Sequence, residues 1–245
     1  MANLPTILAI IPARKGSKGI PGKNMKVFAG TPLGGIPLGG KPLLQYTIES
    51  ALQSTLLTKI IVSTDCELTI EFVQEWKRIE APFLRPAALS DDKTSSLQVI
   101  RHAVEFYKNL NIEFDWICLL QPTSPFRSAG LIDKTVMHML HLNADSLVTV
   151  LKIPDQFNPN WALTMSDNAL QRCLHDAPLA IRRQELPDSF YRDGKVYLLK
   201  TSLLSQGLMS GKCVGYRTDD EPNVNIDTMK DWENAARYIA YGAIL

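Results

Sequence analysis

Apolar and polar positions follow two rhythms along this chain, and the rhythm switches from segment to segment. Thr6 to Pro12 is a continuous apolar run of strand length. Pro42 to Ser54 places Leu44, Ile48, Ala51 and Leu52 at helical spacing. Lys59 to Ser63 reads as a second strand and Glu67 to Lys77 as a second helix, with Phe83 in a short third strand. Thr94 to Lys108 brings Leu97, Ile100, Val104 and Tyr107 near one helical face, and Trp116 to Leu120 is a strongly apolar strand. Leu131 to His141 predicts a helix and Ser146 to Leu151 a strand. This alternation predicts an α/β fold, with a mainly parallel sheet and helices on both faces. The rhythm then lapses. Residues 154–187 are rich in Pro, Asn, Asp and Gln, and predict an inserted arm rather than another strand–helix unit. Lys195 to Leu199 returns to strand character, and Thr228 to Ala240 predicts a closing helix with Trp232, Ala235, Ala236 and Ile239 inward. The expected organisation is one domain over residues 1–245, carrying the arm at about 154–187.

Composition narrows the function classes. With 26 basic and 25 acidic residues the net charge is +1, which is not the balance of a general nucleic-acid binder. Cys66, Cys118, Cys173 and Cys213 lie far apart with no CxxC pair, so neither a structural zinc site nor a disulfide framework is expected. No apolar run approaches the roughly 18 to 20 residues of a membrane span, and the N-terminal apolar stretch precedes its charges, unlike a signal peptide. A reduced, cytoplasmic setting is the expectation.

The candidate chemistry begins where the first strand ends. ILAIIPARKGSKGIPGKN, Ile7 to Asn24, runs a buried strand into a loop with three glycines, the cations Arg14, Lys15, Lys18 and Lys23, and no acid. Strand ends of open α/β sheets are where ligands bind, and glycines let backbone N–H groups approach a phosphate closely, so the loop predicts a polyphosphate cradle. Gly35 to Pro42, GIPLGGKP, misses the P-loop pattern, because Pro42 stands where a Ser or Thr hydroxyl is needed. It overlaps a small duplication, Gly30 to Gly40, in which PLGG occurs twice. LLQPTSPFR, Leu119 to Arg127, ends a second buried strand on polar groups. Gln121, Thr123 and Ser124 either read a ligand or make an ordinary Pro-bounded turn. Arg182, Arg183 and Arg192 suggest an anionic substrate, with surface pairing to Glu185, Asp188 and Asp193 as the equal alternative. In NIDTMKD, Asn225 to Asp231, Asp227 at a strand end reads as a Mg²⁺ ligand or as a helix N-cap, a role open to Thr228 also. His138 and His141 share a helix face without a third ligand nearby, and no Ser-His-Asp set assembles.

Taken together, these motifs resemble the acylneuraminate cytidylyltransferases, which activate sialic-acid-type sugars. The resemblance runs from about Thr6 to Trp232 and rests on IPARKGSKGIPGKN, LRPAALSDDKTSS (Leu84 to Ser96), LLQPTSPFR and RRQELPDSFYRDGKVY (Arg182 to Tyr197). It implies a Rossmann-like sheet and a reaction in which CTP and a 2-keto-3-deoxy nonulosonic acid give the CMP-sugar and pyrophosphate. It implies that Arg14, Ser17, Lys18, Lys23 and Asn24 bind the nucleotide, with Arg85 and Ser95 on base and ribose. Gln121, Thr123, Ser124, Arg183 and Tyr197 would meet the sugar. Arg14, Lys23 and Asp227 would carry catalysis, and Asp227 with Asn225 would hold Mg²⁺. It also implies a homodimer, with the arm reaching the neighbouring subunit. Three departures stand out. The family's Asp-Ile-Asp is Asn225-Ile226-Asp227, its Asn-Gly is Asp193-Gly194, and the Gly30–Gly40 duplication lengthens a loop. Asn225 brings a carbonyl oxygen but no charge, and an Asp193 carboxylate beside an acidic substrate would alter which sugar fits. Another sugar acid or nucleotide on the same fold, or a non-catalytic nucleotide-sugar-binding protein, are the competing readings.

Overall fold

The structure is a computed structural model and describes residues 4–29, 39–175, 178 and 180–240. In chain order the strands are β1 (Ile7–Pro12), β2 (Val27–Ala29), β3 (Gly39–Pro42), β4 (Lys59–Ser63), β5 (Ile79–Glu80), β6 (Trp116–Leu119), β7 (Ser146–Lys152), β8 (Leu163–Ser166), β9 (Ala169–Arg172), β10 (Phe190–Lys200) and β11 (Cys213–Arg217). The α-helices are α1 (Leu43–Gln53), α2 (Glu67–Val73), α3 (Ser96–Asn109), α4 (Leu131–His141) and α5 (Met229–Ala240). Seven strands make one sheet in the order β11-β7-β10-β6-β1-β4-β5. All its pairings are parallel except the two made by β10, which runs antiparallel to both β6 and β7.

Period-two alternation within β1 explains the layers. Ile7, Ala9 and Ile11 point into one core with Leu44 and Ile48 of α1, Val73 of α2, and Val136 and Met139 of α4. Leu8 and Ile10 point the other way, toward Ile100, Ala103 and Tyr107 of α3. The chain runs from β1 to β4 and β5 on one side, then crosses to β6 on the other. The switch point therefore lies between β1 and β6, where open sheets form a ligand crevice. A third apolar cluster, Ile20, Leu43, Phe126, Val224, Ile226, Trp232 and Ala235, packs α5 beneath the loop that follows β1.

Several expected elements shift. The third strand is Ile79–Glu80, and Phe83 instead sets its ring against His102 and Phe106, with centroids 4.6 and 5.0 Å away. α2 stops at Val73 and gives way to turns through Trp76. β10 has 11 residues, because Phe190 to Arg192 extend it along the polar end of β7 before a register shift. β11 was not anticipated, since CVGYR is an edge strand with no sustained apolar run. Residues 222–228 form no strand; Ile226 N–H donates to the Thr123 carbonyl (2.7 Å) and holds them as an irregular segment before α5. The arm region holds the exposed hairpin β8–β9. Most of the Gly30–Gly40 duplication, and with it the first half of the near P-loop, lies outside the described residues. Pro42 stands at the N-cap of α1 with no side-chain cap.

Candidate active site

The parallel strands deliver the loops after β1, β4 and β6 to one edge of the sheet, and β10, running backwards, starts at that edge. The loop after β1 is fastened from both sides. Ala13 N–H donates to the Ser63 carbonyl (2.8 Å), Lys15 N–H to Asp65 Oδ1 (2.7 Å), and Asn24 Nδ2 to the Arg14 carbonyl (3.0 Å). Asn24 is buried, so its amide braces the loop. Ser17 stays half-buried beside the exposed Lys18. Lys23 is buried as well, and its Nζ donates to the Ile226 carbonyl (2.6 Å) and to Asp227 Oδ1 (3.0 Å). Gly19 faces the same segment, and a Cβ there would lie 2.0 Å from the Asp227 carbonyl oxygen. The loop and residues 225–227 thus meet backbone to backbone.

Asp227 is not the cap of α5. Thr228 and Asp231 exchange the capping bonds, Thr228 N–H to Asp231 Oδ2 at 2.8 Å and Asp231 N–H to Thr228 Oγ1 at 3.3 Å. The Asp227 carboxylate is left for Lys23 and for Asn225, whose Nδ2 donates to Oδ2 at 2.7 Å. It is the more open partner, with 60% of the side chain exposed against 11% for Lys23.

The segment before α3 supplies the opposite wall. Arg85 is 4% exposed, and its Nε and Nη2 find no acceptor among the described residues; Asp65 lies 3.9 Å away. Burial lowers its pKa, with Asp65 pulling the other way. Buried donors without partners are uncommon in folded proteins and fit a group that serves a ligand. Ser95 caps α3 in a capping box with Gln98 and also lines a cavity with Gln121, Arg192 and Tyr197. Asp92 lies between these residues and the loop. Arg14 Nη1 reaches its Oδ1 at 2.6 Å and Lys18 Nζ its Oδ2 at 2.5 Å, and these bonds, Lys18 first, hold the Asp92 carboxyl below the usual range.

The far half is a polar cavity of about 440 Å³ lined by Gln121, Tyr191, Arg192, Asp193, Gly194, Tyr197, Asn223 and Asn225. Gly194 adopts φ +79°, and a Cβ there would lie 2.6 Å from Ser124 Oγ and 3.0 Å from Gln121 Oε1, so the backbone must be bare at this point. Ser124 is buried and its hydroxyl donates to the Asp193 carbonyl (2.9 Å). Thr123 contributes the carbonyl that binds Ile226. Tyr197 is nearly buried, which raises its phenol pKa. Arg183, by contrast, pairs with Asp155 on the exposed arm, a partner the sequence reading did not name, and Arg182 with Glu185 (2.9 Å), one of the surface partners it did. Of the three arginines, Arg192 enters the cavity. Asp193 lines it too, but its carboxylate is engaged within the protein. That side chain is buried and accepts from Thr218 Oγ1 (2.6 Å), from Lys195 N–H (3.0 Å) and from Thr149 Oγ1. His138 packs edge-on against Tyr216 (5.3 Å), and no group of three or more His, Cys, Asp or Glu side chains assembles among the described residues.

Sequence reasoning passed over Asp92 and Arg127. Arg127 spans three elements, donating to the Gln121 carbonyl (2.9 Å), the Lys195 carbonyl (2.8 Å) and Thr47 Oγ1 (3.0 Å), and burial lowers its pKa to about 10. Its place at the end of LLQPTSPFR was the available signal, but only the fold shows that it braces the strand end.

The chain is 31% identical over 232 residues to an N-acylneuraminate cytidylyltransferase of Escherichia coli O18:K1:H7, covering 94% of this chain and 51% of that protein. It is 30% identical over 190 residues to a pseudaminic acid cytidylyltransferase of Campylobacter jejuni, covering 78% and 76%. The chain spans about half the length of the acylneuraminate enzymes it matches. A solved CMP:2-keto-3-deoxy-manno-octonic acid synthetase complexed with CTP superposes with a TM-score of 0.67 at 18% identity, over 97% of this chain and 99% of that one, a likeness of fold. A family model described as cytidylyltransferase matches residues 8–206, most of the chain, and the chain belongs to that family.

Proposed function

We propose that this protein transfers CMP from CTP to a nonulosonic, sialic-acid-like sugar, releasing pyrophosphate. One observation carries the reading. The loop that carries Arg14, Lys18 and Lys23 is joined through Gly19 and Lys23 to residues 226–227, and the adjoining Asn225 lines the polar cavity with Gln121, Arg192 and Tyr197. A polyanion site and a polar-substrate site therefore share one wall. In this reading Arg14, Lys18 and Lys23 bind the triphosphate, Arg85 and Ser95 serve the nucleoside, and Gln121 and Tyr197 orient the sugar. Arg192 pairs with the sugar's carboxylate, a geometry suited to guanidinium. The anomeric hydroxyl attacks the α-phosphorus in line, and pyrophosphate leaves. Such a displacement needs alignment and charge neutralisation more than a covalent nucleophile.

The residues present fit Mg²⁺. The ion is commonly held by one or two carboxylates with substrate phosphates and water, and Asp227 offers an exposed carboxylate beside the loop with the Asn225 amide next to it. When bound, Mg²⁺ neutralises phosphate charge and lowers the pKa of an attacking hydroxyl. Asn225 weakens the site, because its N–H already occupies Asp227 Oδ2. Asn225→Asp should lower the Mg²⁺ concentration at half-maximal turnover by about tenfold, the scale of one added carboxylate; an unchanged half-saturation point counts against this. The arm exposes Phe157, Leu163, Met165, Leu170 and Ile181, apolar groups suited to a second copy of the chain in a homodimer.

The deciding experiment is pyrophosphate release with CTP, Mg²⁺ and a panel of sialic, legionaminic and pseudaminic acids. Release with at least one acid supports the proposal and identifies the substrate. Release with GTP but not CTP would assign a different nucleotide, and no release with any pair would leave a binding protein.

A further inference from the structure

The cations of the phosphate loop are already matched by a carboxylate of the protein itself. The two oxygens of Asp92 meet two different loop residues, Arg14 at 2.6 Å and Lys18 at 2.5 Å. Arg14 and Lys18 come from the loop after β1 and Asp92 from the turn before α3, so the contact joins two separate segments that flank the site. Asp92 has no part in building its own turn. Its neighbour Asp91 does that, accepting at Oδ1 from Lys93 N–H (3.0 Å), Thr94 N–H (2.7 Å) and Thr94 Oγ1 (2.6 Å), while Ser95 and Gln98 cap the helix that follows. Among the described residues, the contacts of Asp92 are with the two loop cations.

A carboxylate that presents one oxygen to each of two neighbouring cations does what two phosphate oxygens would do with the same donors. We propose that Asp92 is the resident counter-anion of the loop: it holds the place of the incoming triphosphate, is displaced by it, and returns to Arg14 and Lys18 as pyrophosphate leaves. The identity of the physiological anion rests on the CTP reading above; the exchange itself rests only on the two ion pairs.

Two properties follow. An anion that offers little charge gains too little from Arg14 and Lys18 to replace an aspartate already in contact with both, whereas a triphosphate offers several charges at once. Asp92 therefore favours triphosphates over monophosphates and eases product departure. Binding is also an exchange of one anion for another inside the site. Arg14 and Lys18 carry few ions from solution in the empty protein, so few are expelled when the ligand arrives, and the salt dependence is shallow.

The test is calorimetric titration of the full chain with inorganic triphosphate, without metal, at several salt concentrations. Wild type, Asp92→Asn and Asp92→Ser are compared, two variants at a position exposed enough that folding is retained by at least one. Both are expected to bind about three- to tenfold more tightly at low salt, the range of one or two exposed ion pairs. The slope of log Kd against log salt is expected to steepen, since Arg14 and Lys18 then hold solution ions that the ligand must release. Unchanged or weaker binding overturns the proposal, and so does tighter binding with an unaltered slope. A parallel titration with CTP and CMP should show the preference for CTP narrowing in the variants. If the triphosphate responds as described while CTP binds no better than other nucleoside triphosphates, the exchange stands and the CTP reading fails.

Discussion

Gly19→Ala is expected to lower kcat/KM for pyrophosphate release by at least about 100-fold, the scale of a 1 Å misplacement of reacting groups. The added Cβ would sit 2.0 Å from the Asp227 carbonyl oxygen and 3.3 Å from its carbon. Both are backbone atoms, so no rotamer change relieves the overlap. Either the loop after β1 or residues 225–228 must retreat by more than an ångström. Retreat separates Lys23 from Ile226 and Asp227, the contacts that register the loop cations against the polar cavity. The accompanying loss of stability should be about 1–3 kcal/mol, the usual range for overpacking. Gly16→Ala is the matching control for stability, because a Cβ at Gly16 meets nothing within 4 Å. Its thermal midpoint should equal that of wild type. A Gly19→Ala protein with turnover within threefold of wild type would remove the contact from the mechanism.

Lys23→Met is expected to cost about 10²- to 10³-fold in kcat, the scale of losing one preorganised electrostatic donor. Methionine keeps most of the side chain's length and packing, so the experiment isolates the charge. The Lys23 side chain is 11% exposed and its ammonium sits between a backbone carbonyl and a carboxylate, where water screens it less than a surface lysine. Its loss strips the Ile226 carbonyl of its donor and leaves Asp227 with no cation. Since the Asp227 side chain is 60% exposed, solvent screens much of that change, and the effect on stability should stay near about 1 kcal/mol. Lys26→Met makes the same charge change three residues away on an exposed side chain and should leave kcat within about twofold. Equal losses in the two variants would mean that only net positive charge matters at this loop.

The fold was legible wherever hydrophobic periodicity met burial. β1, β4, β6, α1 and α4 are buried on at least one face, and their apolar spacing marks them to within a residue or two. β11 and the first part of β10 could not be read this way, because their residues sit partly in solvent and pair through backbone groups. The reversed direction of β10 was hidden too, since periodicity carries no information about strand orientation. At the site, the glycine-and-cation loop announced itself by local density of charge. Asp92 did not, because its meaning depends on two residues more than seventy positions away. Asp193 is the opposite case. It sits at the polar cavity as its place in the sequence suggests, but β10 turns the carboxylate inward to Thr149 and Thr218, which local sequence does not reveal.

The reversed strand also sets an order of assembly. β10 lies in the middle of the sheet between β6 and β7, yet its residues follow both in the chain. As the polypeptide leaves the ribosome, Trp116–Leu119 and Ser146–Lys152 are complete before the strand that separates them exists. Until residue 200 emerges, each of these apolar strands lacks a neighbour on the side β10 will fill, the kind of open edge that recruits other chains. The β1–β4–β5 side of the sheet can therefore form early, while the polar cavity waits for β10 to insert and the loop after β1 waits for residues 226–227. A nascent chain stalled before that point would carry unprotected edges on both strands, which makes this interval the one where quality control has most to guard.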